Sequence, residues 1–122
     1  MKGVLALSDG TILKGKGFGE EAEIIGEVVF TTSLVGYEES ITDPSYKGQI
    51  LTFTYPLIGN YGVRGSNFES DRAQVNGIAI HEYNDYYHHR NAVSSLDSYL
   101  KLNNIPSISG IDTRYLTKKL RA

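Results

Sequence analysis

Three histidines, His81, His88 and His89, and one serine, Ser45 in the string Thr42-Asp43-Pro44-Ser45-Tyr46, are the residues of this chain best suited to chemistry. No cysteine accompanies them. That zero count excludes a thiolate nucleophile, a thiolate zinc site and a disulfide framework within these residues. His81-Glu82 and His88-His89 supply enough donors for a metal if the loop between them folds back, because a catalytic zinc needs three converging protein ligands. Their spacing fits no standard helical motif, and adjacent histidines in a polar loop equally describe a solvated surface. Ser45 also has two readings. Asp43 and Pro44 fit the first and second positions of a type I turn, where proline's fixed φ costs nothing, so Ser45 is predicted on a rigid, exposed corner. Such a serine is either a good turn residue or a preorganised hydroxyl aimed at a ligand. Asp9, Asp43 and Asp112 are each explained by a turn or a helix cap. Gly59-Asn60-Tyr61-Gly62 lacks the nucleophile that defines an elbow, and Gly15-Lys16-Gly17-Phe18-Gly19 lacks the spacing of a dinucleotide fingerprint. The residues alone show no catalytic constellation.

The elements that position these groups are mostly strands. Val4–Leu7 and Thr11–Lys14 flank Asp9-Gly10, which predicts a hairpin with a two-residue loop at positive φ. Gly15–Gly19 is too glycine-rich for a regular element and reads as a bend or bulge. Residues 26–32 form a β-branched run bounded by glycine, residues 49–55 alternate with period two, and residues 74–80 form a further apolar run; all three are predicted strands. Residues 56–72 are rich in Pro, Gly, Asn and Ser, with an apolar start able to pack, and residues 82–91 are polar and irregular. Helix signals come late. Ser94-Ser95 with Asp97 suits a cap, Leu96, Tyr99 and Leu100 share a face, and the helix is predicted to fray at Asn103-Asn104. Asp112 caps a second helix through Leu120, with Ile111 and Leu116 placed as a staple and Lys118, Lys119 and Arg121 at the negative end of its dipole.

A chain of 122 residues is the length of one ordinary domain, predicted here over residues 1–122. Twelve Lys and Arg stand against 14 Asp and Glu for a net charge of -2, which disfavours nucleic acid and anionic membranes as partners. The N-terminal apolar run, Val4 to Leu7, is too short for a membrane span or a signal-peptide core, so a cytoplasmic location is the default. The aromatics are 9 Tyr and 4 Phe without Trp, and tyrosines favour half-wet packing sites of the kind found where a domain docks.

Several long strings then carry a resemblance. Gly26-Glu27-Val28-Val29-Phe30, Gly36-Tyr37-Glu38-Glu39, Thr42-Asp43-Pro44-Ser45-Tyr46, Gln49-Ile50 and Thr54-Tyr55-Pro56-Leu57-Ile58-Gly59-Asn60-Tyr61-Gly62 resemble the N-terminal domain of the small chain of glutamine-hydrolysing carbamoyl-phosphate synthase. Glu69-Ser70, the Ser95-Leu96 helix, Gly110-Ile111-Asp112-Thr113-Arg114, Leu116-Thr117 and Leu120-Arg121 continue the match in order. The resemblance implies an α/β fold, a three-layer β/β/α swivelling domain of mostly short β-strands with two late helices. In that family the small chain releases ammonia from L-glutamine, and a large chain uses it with bicarbonate and ATP to make carbamoyl phosphate for arginine and pyrimidine synthesis. The glutaminase nucleophile belongs to a C-terminal class I amidotransferase domain, which agrees with the missing cysteine. For this chain the resemblance implies no catalytic residue, no cofactor or metal of its own, and Ser45 as a glutamine-binding hydroxyl reaching across the domain boundary. The implied partners are the large chain and the amidotransferase domain, and the isolated domain is expected to be inactive.

Overall fold

The computed structural model describes residues 1–32, 37–54, 57–58, 72–83 and 96–121. Its elements in chain order are β1 (Lys2–Ala6), β2 (Ile12–Gly19), β3 (Val28–Thr31), α1 (Tyr37–Thr42), a 3₁₀ turn (Pro44–Tyr46), β4 (Ile50–Phe53), β5 (Leu57–Ile58), β6 (Gly77–Ala79), β7 (Glu82–Tyr83), α2 (Leu96–Leu102), β8 (Pro106–Ser109) and α3 (Thr113–Arg121). Six strands form one mixed sheet in the order β1-β2-β8-β6-β4-β3, and β5 pairs with β7 separately. β1, β2 and β8 are antiparallel neighbours, whereas β8, β6, β4 and β3 run parallel. This is the predicted α/β class, with short strands and the two late helices in place.

The hairpin forms, with a different loop. Gly10 N–H donates to the Leu7 carbonyl at 3.0 Å and Leu7 N–H to the Thr11 carbonyl at 2.8 Å, so three residues make the reversal. Among the described loop residues only Gly10 has positive φ, at 94°. A three-residue loop closed by one glycine at positive φ replaces the predicted two-residue loop. Asp9 turns its Oδ1 onto the Thr11 N–H at 2.9 Å.

The glycine-rich segment is a correction. Instead of bending, residues 15–19 continue β2, with Lys16, Gly17, Phe18 and Gly19 opposite Ser109, Ile108, Ser107 and Pro106. Gly15 has a close-approach role there, because a Cβ at that position would collide with the Ser109 carbonyl oxygen. Two elements were not expected. α1 is only six residues long, short of what local propensity can hold, and it stands because Ile41 is buried in the core. β8 begins on Pro106, a residue that argues against a strand except at its first position, which is where it lies. Glu82-Tyr83, read as irregular, pairs with Leu57-Ile58. The strands predicted over 26–32, 49–55 and 74–80 are present but shorter.

Pleating sorts the core into two clusters. One face of the sheet joins Phe18, Leu51, Phe53, Ile78 and Ile80 to Ile41 of α1 and Leu96 and Leu100 of α2. The other joins Leu5, Ala79 and Ile108 to Ile111 and to Leu116 of α3, so the predicted staple pair shares one cluster. α2 ends as expected at Asn103-Asn104, where Asn104 takes a left-handed φ of 59°. Ser94 and Ser95 lie outside the described residues. Asp97, predicted to complete their cap, accepts the Gly19 N–H at 2.7 Å and pairs with Lys101 at 2.9 Å. The Asp112 cap is present, its Oδ1 accepting the Tyr115 N–H at 3.0 Å.

Candidate functional site

Ser45 occupies the middle of the 3₁₀ turn that connects α1 to β4. The corner is built from the sequence outwards. Asp43 has extended dihedrals, φ -72° and ψ 120°, and its Oδ1 accepts the Ser45 N–H at 2.9 Å. Pro44 follows at the first turn position, where its missing N–H removes no bond. Tyr46 N–H reaches the Asp43 carbonyl at 3.0 Å and Lys47 N–H the Pro44 carbonyl at 3.1 Å, closing the turn.

The corner is anchored on both sides. Upstream, Thr42 is fully buried and its Oγ1 donates to the Glu38 carbonyl at 2.7 Å, finishing α1. Downstream, Gln49 N–H bonds the Tyr46 carbonyl, Gly48 N–H bonds the Gln74 carbonyl, and Gln74 N–H returns to the Ile41 carbonyl at 2.8 Å. Tyr46 packs against the larger core cluster. Ser45 itself is exposed, so its hydroxyl is reachable from outside the domain. The turn immediately precedes β4, placing Ser45 at the N-terminal side of the parallel strands. In open α/β sheets ligand crevices ordinarily lie at the carboxyl ends instead.

Sequence reasoning found the hydroxyl and its turn but not the groups that hold the corner. Gln74 acts through main-chain bonds to Gly48 and Ile41, segments distant from it in sequence, for which no short motif exists. The Glu38–Thr42 spacing of one helical turn was the available local signal. Near α1, the Tyr99 phenol is pushed up to about 12 by burial, with the Glu38 carboxylate adding to the shift. A phenol so placed keeps its proton at neutral pH.

The histidines are not gathered by the described structure. His81 is exposed, and its Nδ1 lies 3.2 Å from the Ile111 carbonyl, a hydrogen bond in which that nitrogen carries the proton. Its carbonyl accepts the Gly110 N–H at 2.9 Å, so both ends of the residue bind the segment entering α3. His88 and His89 lie outside the described residues. Among the described residues no three His, Asp or Glu side chains come together as a metal site. Chemically, the corner offers a fixed hydroxyl whose neighbouring carboxylate is engaged with the main chain. That arrangement suits holding a polar ligand.

No helix among the described residues is long and apolar enough to cross a membrane. The family profile "Carbamoyl-phosphate synthase small chain, CPSase domain" matches residues 5–122. The carbamoyl phosphate synthase small chain of Bacillus anthracis is 55% identical over 121 residues, covering 99% of this chain and 33% of that protein. The protein of the same name from Methanococcus maripaludis is 53% identical over 122 residues, covering 100% of this chain and 31% of its own length. That from Streptococcus agalactiae is 52% identical over 121 residues, covering 99% and 34%. This chain therefore spans about a third of the length of the curated relatives it matches. With the profile covering nearly every residue and the turn string inside the match, the chain belongs to the carbamoyl-phosphate synthase small chain family, to its CPSase domain.

Proposed function

We propose that this chain acts as the N-terminal domain of the glutaminase subunit of a glutamine-hydrolysing carbamoyl-phosphate synthase. In this reading it docks on the large chain and supports a glutamine site whose thiol nucleophile is carried by an amidotransferase domain, while the large chain uses ATP. Ser45 hydrogen-bonds the glutamine from across the domain boundary. The reading is carried by one observation: an exposed serine on a turn pinned by the Asp43 cap and by a main-chain bond from Gly48 to Gln74, which is itself bonded to Ile41 of α1. Holding the corner in advance removes ordering cost from ligand binding. The chain has no cysteine, so a thioester step has no nucleophile within these residues.

In the complete synthase, Ser45→Ala is expected to weaken glutamine-dependent synthesis several-fold, as loss of one hydrogen bond of about 0.5–1.5 kcal/mol would. Ammonia-dependent synthesis should stay nearly unchanged. Steady-state kinetics with each nitrogen donor measures both, and unaltered glutamine kinetics would refute the role given to Ser45.

A further inference from the structure

The Ser45 corner runs into β4 through a pivot. Gly48, between the 3₁₀ turn and the strand, takes a positive φ of 76°, which glycine adopts without strain. Rotation there would swing Ser45 relative to the sheet. The Gln49 N–H spans the pivot to the Tyr46 carbonyl at 3.1 Å. Gln49 is gripped in turn from the strands on both sides of β4. Its carbonyl accepts the Asn76 N–H at 2.8 Å, and its side-chain Nε2 donates to Glu27 Oε1 at 2.9 Å. Glu27, Gln49 and Asn76 each stand one residue ahead of their strands, β3, β4 and β6. The Glu27 carbonyl also accepts the Ile50 N–H at 2.8 Å, so this one residue holds Gln49 and its successor together.

The side-chain bond between Gln49 and Glu27 is exposed, and a bond exchanged so readily for water adds little to the stability of a fold. The strand does not need it either. Ile50 to Phe53 are already paired along their whole length with Val28 to Thr31. What the bond does fix is the residue just before β4, the one that reaches back over the pivot to Tyr46. Tyr46 is joined in turn to the corner, its N–H donating to the Asp43 carbonyl at 3.0 Å. A shift of Gln49 therefore passes through Tyr46 to the segment that carries Ser45. The carboxylate acceptor makes the bond charge-assisted, which strengthens it over an amide–amide contact.

We infer that Gln49, held by Glu27, is a positioning residue for the Ser45 hydroxyl. The inference rests on the glutamine-binding role proposed above for Ser45. The test is steady-state kinetics of the complete synthase with glutamine and with ammonia, circular dichroism reporting that each variant is folded. Gln49→Met keeps the length of the side chain but cannot donate, and Gln49→Glu sets two carboxylates against each other. Each should raise the KM for glutamine about three- to tenfold, the loss of roughly one hydrogen bond's worth of binding, with kcat nearly unchanged. Ammonia-dependent synthesis should stay within about twofold of the unaltered enzyme. Glu27→Gln combined with Gln49→Glu exchanges donor and acceptor, remakes the bond in reverse, and should return the KM to within about twofold of its original value. A merely structural role would depress synthesis from both nitrogen donors together. If Ser45→Ala impairs glutamine use while the folded Gln49 variants leave the KM unmoved, or if the exchange does not restore it, the positioning role fails and Ser45 keeps its own. If Ser45→Ala has no effect on glutamine kinetics, the reading beneath this inference fails, and the inference with it.

Discussion

In the parallel half of the sheet every residue of β4 is buried, Ile50 through Phe53, and so is every residue of β6. In the antiparallel hairpin only Leu5 of β1 and Phe18 and Gly19 of β2 are buried, and exposed residues alternate with shielded ones. Parallel strands sit under helices on both sides and read as continuous apolar runs, whereas an antiparallel pair can leave one side to water. The Ser45 corner feeds directly into β4, so it inherits the stiffness of the doubly covered half. The hairpin has a surface to spare. One half thus fixes a hydroxyl in place and the other presents a face outward.

The largest expected effect sharpens that contrast. Leu51 is completely buried in the first cluster, so Leu51→Ala should destabilise the domain by about 2–5 kcal/mol through lost transfer energy and the cavity left behind. Val4→Ala on the exposed hairpin face should change stability by less than about 0.5 kcal/mol. Urea unfolding of the two variants beside the unaltered chain measures both. Similar losses at the two positions would mean that the hairpin face is covered within the domain, and the division drawn here would collapse.

The same division governs what was legible in the sequence. The hairpin, the β-branched run over Val28–Thr31 and the Asp112-capped helix were readable because each has a local cause: a turn glycine, a period, a cap. The Asp43-Pro44-Ser45 turn was readable for the same reason. β8 and α1 were not, since Pro106 disguises the strand and six residues of helix have no stability of their own. Both exist because the sheet buries them. The stretch Gly15–Gly19 misled in the opposite direction. Its glycines look like flexibility, yet at Gly15 the small residue serves close packing of β2 on the carbonyl of Ser109. Of the site, the hydroxyl was visible and the main-chain bonds from Gly48 and Gln74 that fix it were not, because bonds between distant segments leave no pattern in either one.

A second, smaller effect tests that account of the glycines. Gly15→Ala places a methyl against the main chain of β8, and overpacking of this kind costs about 1–3 kcal/mol. Because backbone cannot swing aside as a side chain does, β2 should separate locally from β8, and amide exchange should quicken at Lys16 and Gly17. If Gly15→Ala were as stable as the unaltered chain, the segment would have slack, and the bend read from its composition would be the better description.

The smallest effect concerns the tip of the hairpin, where the exposed half is tied back to α3. Lys119 Nζ lies 3.0 Å from Asp9 Oδ2 while Asp9 Oδ1 holds the Thr11 N–H. Hydrogen bonds from Thr11, reinforced by Lys119, hold the Asp9 carboxyl down to about 2 from an ordinary 3.8. A carboxyl that releases its proton more readily when folded stabilises the fold above its unfolded value. That contribution is lost as pH falls from about 4 through about 2. The pair is exposed, so salt should also weaken it. Asp9→Asn keeps an oxygen to accept the Thr11 N–H and removes only the charge, which isolates the ionic part. The unfolding midpoint of the unaltered chain should exceed that of Asp9→Asn slightly at about pH 6, and the gap should close on acidification across that window. A gap that persisted undiminished at low pH would mean the carboxylate contributes through shape and not through charge, and the tether from hairpin to helix would lose its electrostatic basis.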